Sequence, residues 1–370
     1  MLALEIILWT ALGLIVWTHV AYPLTAGLAA RLFTRKVAKR DWEPTVTIVV
    51  AAHNEEAVIK RRLENLLALD YPAEKVEIVV ASDASDDRTD EIVRAVAKRQ
   101  PRVSLLACPR GGKVAAQNRA VAASKAEVVA FSDANATWAP YALRRLTANL
   151  ADPKVAYVCG RLQLERADGS NKEGLYWRYE LWLRAQESKL GSITGGNGSI
   201  YALKRADYVN VDPRFGHDLS LPYVMVQRRR RAVYEPQAHA LEKPTPSVES
   251  EYRRKVRMFE HCWLITLRGS MLKRLTPGYL IEVISHRLLR YGSGLLHLLL
   301  LGLSIALVVL NQGFPYLLVL AIQLGGILGA LLGLSLPRYY LLVTWATLVS
   351  LWNYLRRGVP ATWEAAEGTR

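Results

Sequence analysis

Long uncharged stretches lie near both ends of this chain, and the middle has none of comparable length. From Ile6 to Ala30 the only side chain that could carry charge is His19, and Tyr291 to Ser335 contains no Asp, Glu, Lys or Arg. Tyr339 to Tyr354 is uncharged as well. At about 1.5 Å per residue these lengths suit a bilayer core, the last one marginally. The first stretch follows Glu5, lacks a basic leader and outruns the apolar part of a signal peptide, so it reads as an uncleaved anchor. Arg31, Arg35, Lys36, Lys39 and Arg40 follow it directly, which predicts that residue 31 onward faces the cytoplasm. That placement also gives the net charge of +15 a membrane-surface reading over a nucleic-acid one. At the far end, Tyr291–Leu310 leaving and Pro315–Leu334 returning would put Arg338 inside. A full third span would then place Arg356 and Arg357 outside, against the charge rule, so two and three segments both stay open. Cys108, Cys159 and Cys262 are odd in number and widely spaced, which fits packing in a reducing compartment.

Between the apolar ends the pattern changes to short β-branched runs alternating with helical stretches. Val46–Ala51, Val76–Ala81, Val103–Ala107 and Val128–Phe131 read as strands. Glu55–Leu69, Thr89–Lys98, Lys113–Ser124 and Trp138–Leu150 read as helices. This rhythm predicts an α/β fold with a mostly parallel sheet. Beyond Gly160 the pattern loosens: Leu175–Leu190 reads as a helix, Gly191–Tyr201 as a loop and Val233-Tyr234 as a short strand. Glu251–Leu275 mixes arginines and lysines with Phe259, Trp263, Leu264 and Ile265, as an interfacial amphipathic helix does.

Two of the strands end in acidic tips, Asp83-Ala84-Ser85-Asp86-Asp87 and Asp133-Ala134-Asn135. Carboxyl ends of strands are where an open α/β sheet binds its ligand. Asp83 suits a base or ribose, and equally a capped turn. Asp133 and Asn135 offer two oxygens of the kind a hard divalent cation takes, and equally a helix cap. Lys113 after Gly111-Gly112 could neutralise a phosphate or simply open a solvated helix. Asp218, in a polar turn between Pro213 and Pro222, could serve as a general base or be an ordinary surface acid. Arg254 and Arg257, three apart on one helix face, could clamp a diphosphate or face lipid headgroups.

Taken in order, these segments resemble the membrane-embedded family 2 glycosyltransferases, the group of cellulose, hyaluronan and poly-N-acetylglucosamine synthases. The resemblance covers about Trp42 to Arg257 and extends to the membrane layout. It rests on Val46–Ala52 followed by His53-Asn54-Glu55-Glu56, on Asp83-Ala84-Ser85-Asp86-Asp87, and on Gly112-Lys113 with Asn118. It continues through Asp133-Ala134-Asn135, Gly195-Gly196-Asn197-Gly198, His217-Asp218 and Val233-Tyr234-Glu235-Pro236. The resemblance implies a GT-A (Rossmann-like) nucleotide-sugar-binding domain flanked by transmembrane helices. It implies an anchor over 1–30, the cytoplasmic domain over 41–250, interfacial helices over 251–290, a transmembrane region over 291–357 and a tail over 358–370. Ala52, Asn54, Glu55, Asp83 and Lys113 would bind the donor nucleotide, and Asp133 with Asn135 a Mg²⁺ or Mn²⁺ ion. Asp218 would be the base, Arg254 and Arg257 would hold the leaving group, and Gly196, Asn197, Gly198 and His217 would form the acceptor loop.

Three positions depart from the family pattern. Asn135 replaces an acid, His217 replaces the acid before the base, and Lys255 stands where processive synthases carry a Trp. The last departure favours transfer from a nucleotide sugar, most simply UDP-linked, to a lipid-linked or short saccharide acceptor. Processive exopolysaccharide synthesis is the alternative. A non-enzymatic transport component is a remote one, because the uncharged stretches lack the buried acids that transport paths use. A nucleic-acid partner would leave the acidic strand ends unexplained. The location implied is the cell (inner or plasma) membrane, multi-pass, beside the lipid bilayer.

Overall fold

The computed structural model describes residues 1–164, 174–244, 247–310 and 313–362. Residues 363–370 of the expected tail lie outside the described residues. The chain divides into two compact units. Met1–Thr25, Ser247–Leu267 and Leu280–Val359 form a helical unit, and Ala26–Pro246, Arg268–Tyr279 and Pro360–Arg370 form an α/β unit.

The chain opens with α1 (Leu2–Val16), a π-helical turn at Trp17–Ala21, and α2 (Tyr22–Leu32). The α/β unit follows with β1 (Val46–Ala52), α3 (Ile59–Leu67), β2 (Val76–Asp83), α4 (Thr89–Ala97) and β3 (Val103–Cys108). Next come α5 (Lys113–Ala123), β4 (Val128–Asp133), β5 (Thr137–Trp138), α6 (Ala142–Leu150) and β6 (Val155–Leu164). It closes with α7 (Leu175–Leu190), β7 (Tyr201–Lys204), α8 (His217–Gln227) and β8 (Arg231–Glu242).

The eight strands form one sheet in the order β3-β2-β1-β4-β7-β6-β8-β5. β3, β2, β1 and β4 run parallel, as the alternating pattern predicts. The second half departs from that expectation, because β7 lies antiparallel to both β4 and β6. Parallel strands covered on both faces read as continuous apolar runs, and β1 is one. Ile48 and Val50 pack on one face with Leu63 and Leu66, whereas Val49 packs on the other with Val114, Ala116 and Ala120. The chain runs outward from β1 through β2 to β3, then returns to lay β4 on the other side of β1. That reversal opens a crevice at the carboxyl ends of β1 and β4, where α/β sheets take their ligands. It places the acidic tips of β2 and β4 on either side of Ala52.

Several boundaries move for identifiable reasons. α3 starts at Ile59 rather than Glu55, because residues 53–56 are tied to the loop after β2. α6 starts at Ala142, since Thr137 and Trp138 pair instead with β8. β8 spans twelve residues instead of two, and its Glu235–Gln237 segment lies at a register shift against β6 that accommodates Pro236. His217 and Asp218 do not lie in a turn: they open α8, with Pro222 inside it.

In the helical unit, α9 (Val248–Arg268) replaces the longer amphipathic stretch expected. It is followed by α10 (Pro277–Glu282), a π turn at Val283–Leu288, and α11 (Leu289–Tyr291). α12 (Ser293–Val309), α13 (Phe314–Leu331) and α14 (Ser335–Arg357) complete it. Among the described residues two helices are long and apolar enough to cross a membrane, Leu2–Leu32 and Phe314–Leu331. A third exists if Pro277–Tyr291 and Ser293–Val309, bent by 63°, count as one. Leu8 and Ile15 of α1 pack with Leu300, Leu307, Tyr316 and Val319, while Ile6, Ile7 and Trp9 stay exposed. The two π turns meet: Trp17 Nε1 donates to Ser285 Oγ at 2.8 Å and the Thr18 hydroxyl to the Ser285 carbonyl at 2.6 Å.

Candidate active site

Two loops form the rim at the ends of β1 and β2, and polar side chains latch them together. The Asn54 N–H donates to Ser85 Oγ at 3.2 Å, and Asn54 Oδ1 accepts from the Asp86 N–H at 3.0 Å. The Glu55 N–H donates to Thr89 Oγ1 at 2.8 Å, and the Glu56 N–H to Asp87 Oδ2 at 3.0 Å. Asn54 and Ala84 both adopt φ 55°, the left-handed region. Asn tolerates that region, whereas Ala meets steric cost there. At Ala84 the backbone keeps a conformation that Gly would favour.

The Asp83 carboxylate is buried and fully occupied. Its Oδ1 accepts from the Gly111 N–H at 2.7 Å and the Gly112 N–H at 3.1 Å. Its Oδ2 accepts from the Gly112 N–H at 2.9 Å and Arg110 Nη1 at 2.8 Å. A buried carboxylate needs such donors. Here they fix the 110–112 loop that opens α5. The backbone of Ala361 comes within contact of Gly112, and a side chain at Gly112 (φ +90°) would collide with it.

α5 then delivers Lys113 to the end of β4, where its Nζ pairs with Asp133 Oδ1. Asp133 Oδ2 accepts the Ser199 hydroxyl at 3.3 Å. Burial alone would lower the Lys113 pKa, but the charge and hydrogen bond of Asp133, with the charges of Asp218 and Glu242, raise it. Lys113 is therefore a permanent cation in the field of three carboxylates. Beneath it Arg62 is buried, donating to Ser132 Oγ at 2.6 Å and lying 5.0 Å from the centroid of the Trp138 ring. Burial lowers its pKa to about 9 against the opposing pull of Asp133 and Glu242.

The 195–198 loop faces the same place. The Gly196 N–H donates to the Asp218 carbonyl at 2.7 Å, and Arg184 Nη2 donates to the Gly196 carbonyl at 3.1 Å. Asn197 Nδ2 donates to the Gly160 carbonyl at 2.6 Å, and its Oδ1 accepts from the Ser199 and Ile200 N–H groups. A Cβ at Gly198 would lie 3.1 Å from Lys113 Nζ and 3.6 Å from Asp133 Oδ2. Glycine thus keeps open the space before the Lys113–Asp133 pair. A Cβ at Gly216 would lie 2.6 Å from Asp218 Oδ1.

Lys113, Asp133, Gly196, Gly198 and Asp218 therefore converge on one locality. Asn197 is buried as the brace of its own loop, and His217 is buried among Phe131, Tyr201 and Tyr208. Asn135 is half-buried beyond the end of β4. Arg254 and Arg257 lie on α9 in the helical unit. Both Arg254 Nε and Nη2 donate to Glu251 at 2.8 Å, and burial followed by the Arg254 charge lowers the Arg257 pKa. Sequence reading missed Arg62, Arg184 and Glu242. Arg62 lies on α3, Arg184 on α7 and Glu242 at the end of β8, and none carries a local motif.

Comparison with known proteins bears on the fold and the family. The Glycosyl transferase family 2 profile matches residues 47–210. Residues 47–210 form a family 2 glycosyltransferase domain. The domain is similar to the beta-monoglucosyldiacylglycerol synthase of Synechocystis, at 32% identity over 163 residues, 42% of this chain and 33% of that protein. An N-acetylglucosaminyltransferase of Rhizobium meliloti is 25% identical over 284 residues, 70% of this chain and 66% of that protein. The chain thus matches only about a third of the length of the first relative. The fold matches the mannosyltransferase PcManGT from Pyrobaculum calidifontis, solved with GDP-Man and Mn²⁺. That match has a TM-score of 0.72 at 23% identity over 95% of this chain and 99% of the other. The α/β unit has the GT-A fold of these enzymes.

Proposed function

We propose that this chain is a multi-pass membrane glycosyltransferase with its α/β unit in the cytoplasm, moving one sugar from a nucleotide sugar, UDP-linked, to a lipid-linked acceptor hydroxyl with inversion. The carrying observation is that one ammonium, Lys113, lies in the field of both Asp133 and Asp218 beside a glycine-kept space. Inverting transfer needs that juxtaposition of a cation for the leaving diphosphate and a carboxylate for the incoming hydroxyl. In a single displacement the acceptor oxygen bonds to the anomeric carbon as the carbon–phosphate-oxygen bond breaks. The acceptor proton passes to Asp218, and the nucleoside diphosphate leaves with the bonding pair. A positioned base is worth about 10²–10⁴-fold, and charge stabilisation where the leaving group develops is the larger contribution in most enzymes.

The oxygens of Asp133 and Asn135 suit a hard divalent ion that completes its shell with substrate phosphates and water. Among the described residues no group of three or more His, Cys, Asp or Glu side chains forms a closed metal site, which is consistent with a substrate-completed one. When bound, Mg²⁺ or Mn²⁺ would neutralise diphosphate charge. Lys113, paired with Asp133, would supply part of that neutralisation from this chain's own side chain.

Similarity to a glycolipid synthase supports the lipid acceptor. The Lys255 side chain, in place of the Trp of processive enzymes, is buried with its Nζ 3.7 Å from Glu251. The test is product analysis with radiolabelled nucleotide sugars and native lipid extract. One sugar per lipid is the expected product; a growing water-soluble polymer would refute single addition.

A further inference from the structure

His217 occupies the position before the proposed base where the family pattern has an acid, and its surroundings define its protonation in full. Tyr201 OH lies 2.9 Å from His217 Nδ1, and Tyr208 OH lies 3.2 Å from Nε2. The Tyr208 hydroxyl donates its only proton to Asn118 Oδ1. Toward His217 it can only accept, so Nε2 carries the hydrogen. Nδ1 is then the acceptor and Tyr201 its donor, while Tyr201 accepts from Gln117 Nε2 at 3.3 Å. Asn118 Nδ2 closes the line on the Val211 carbonyl at 2.9 Å. The hydrogen bonds therefore run one way, from Gln117 through Tyr201, His217 and Tyr208 to Asn118.

Both ends of this line sit on α5, the helix that begins with Lys113, and its middle is the first residue of α8, next to Asp218. We propose that His217 is a positioning residue: the buried line fixes its Nε2–H tautomer and, through it, couples the Lys113 helix to the first turn of α8 that carries Asp218. This rests on the glycosyl-transfer reading above. Burial, with the Lys113 charge second, holds the imidazole pKa down at about 3, so the ring stays neutral as the line requires. The charged and titratable groups around it are Lys113 on α5, Asp133 on β4, Tyr201 on β7, Tyr208 beyond β7, and Asp218 on its own helix. An acid at this position would add a third negative charge beside Asp133 and Asp218. The imidazole instead makes a donor and an acceptor contact without charge.

The test uses the full-length protein in detergent with ring-¹⁵N-labelled histidine. One imidazole is expected in the Nε2–H form with no titration from about pH 5.5 to 8, and its signal is lost in His217→Gln. Tyr208→Phe keeps the ring but removes the acceptor. It is expected to shift that imidazole toward Nδ1–H and to lower kcat for nucleoside diphosphate release about tenfold, with KM for the donor unchanged. His217→Gln, which still offers a donor and an acceptor, is expected to retain more activity than His217→Leu. A wild-type ring that is Nδ1–H, or that titrates near ~6.5, overturns the proposal. So does Tyr208→Phe with a shifted tautomer and an unchanged kcat. If the wild type releases nucleoside diphosphate from no donor, the glycosyl-transfer reading fails, and the coupling to catalysis fails with it. The tautomer measurement needs no substrate and still decides the hydrogen-bond line by itself.

Discussion

Single residues carry the most local consequences. Ala84 sits at φ 55° without the freedom of glycine. Ala84→Gly is expected to stabilise the protein by about 1 kcal/mol by relieving the left-handed strain, read as a raised thermal midpoint. Gly198→Val is expected to leave the thermal midpoint within a few degrees and to abolish donor binding, because its side chain fills the space before Lys113 and Asp133. Isothermal titration with a nucleotide sugar checks that split. At this scale the sequence was most legible where a motif is local: Asp83, Lys113, Asp133, Gly198 and Asp218 are all readable as short patterns at strand or helix ends. What it did not carry is which carboxylate meets which donor. Asp83 accepts from Gly111, Gly112 and Arg110, and Lys113 pairs with Asp133 across strands that a linear reading keeps apart.

At the scale of elements, the parallel half of the sheet was legible because each strand is an apolar run followed by an amphipathic helix. The antiparallel half was not: β7 is four residues long, and β6 and β8 take their length from each other and from a bulge at Pro236. Glu235 on β8 joins several of these pieces. It is buried, pairs with Lys39, accepts from Asn149 Nδ2 at 2.7 Å on α6 and from the Gln237 N–H at 3.0 Å. Glu235→Ala is expected to cost about 2 kcal/mol in stability, the worth of hydrogen bonds to a charged group, checked by chemical unfolding. The α8 turn gives a pH dependence. His217 has its folded pKa depressed to about 3 against an ordinary value of 6.5. The unfolded chain therefore binds a proton that the folded one refuses, so stability is intact above ~6.5 and falls below it, by up to about 1.4 kcal/mol per pH unit. His217→Gln should flatten that slope in melts between about pH 4 and 7. An equal slope in wild type and variant would count against it.

For the whole molecule, the apolar helices near the ends were evident from the distribution of charge, and the α/β unit from the alternation of β-branched runs with helical stretches. Composition alone did not define the C-terminal arrangement. α14 carries Arg338, Arg356 and Arg357 on an otherwise apolar 23-residue helix, and Arg357 lies 3.7 Å from Glu260 of the same unit. Long-range ion pairs of that kind leave no trace in a hydropathy pattern. The account of the whole rests on Asp218 acting as base in a site that binds its donor through other residues. Removing the metal with EDTA should therefore weaken donor binding, whereas Asp218→Asn should not. The decisive measurement compares wild type and Asp218→Asn for nucleotide-sugar binding and for sugar transfer to native lipid, in the same detergent with Mg²⁺ or Mn²⁺. The expected result is a donor Kd within about twofold of wild type and a loss of transfer of about 10²-fold or more. Full transfer by Asp218→Asn would contradict it.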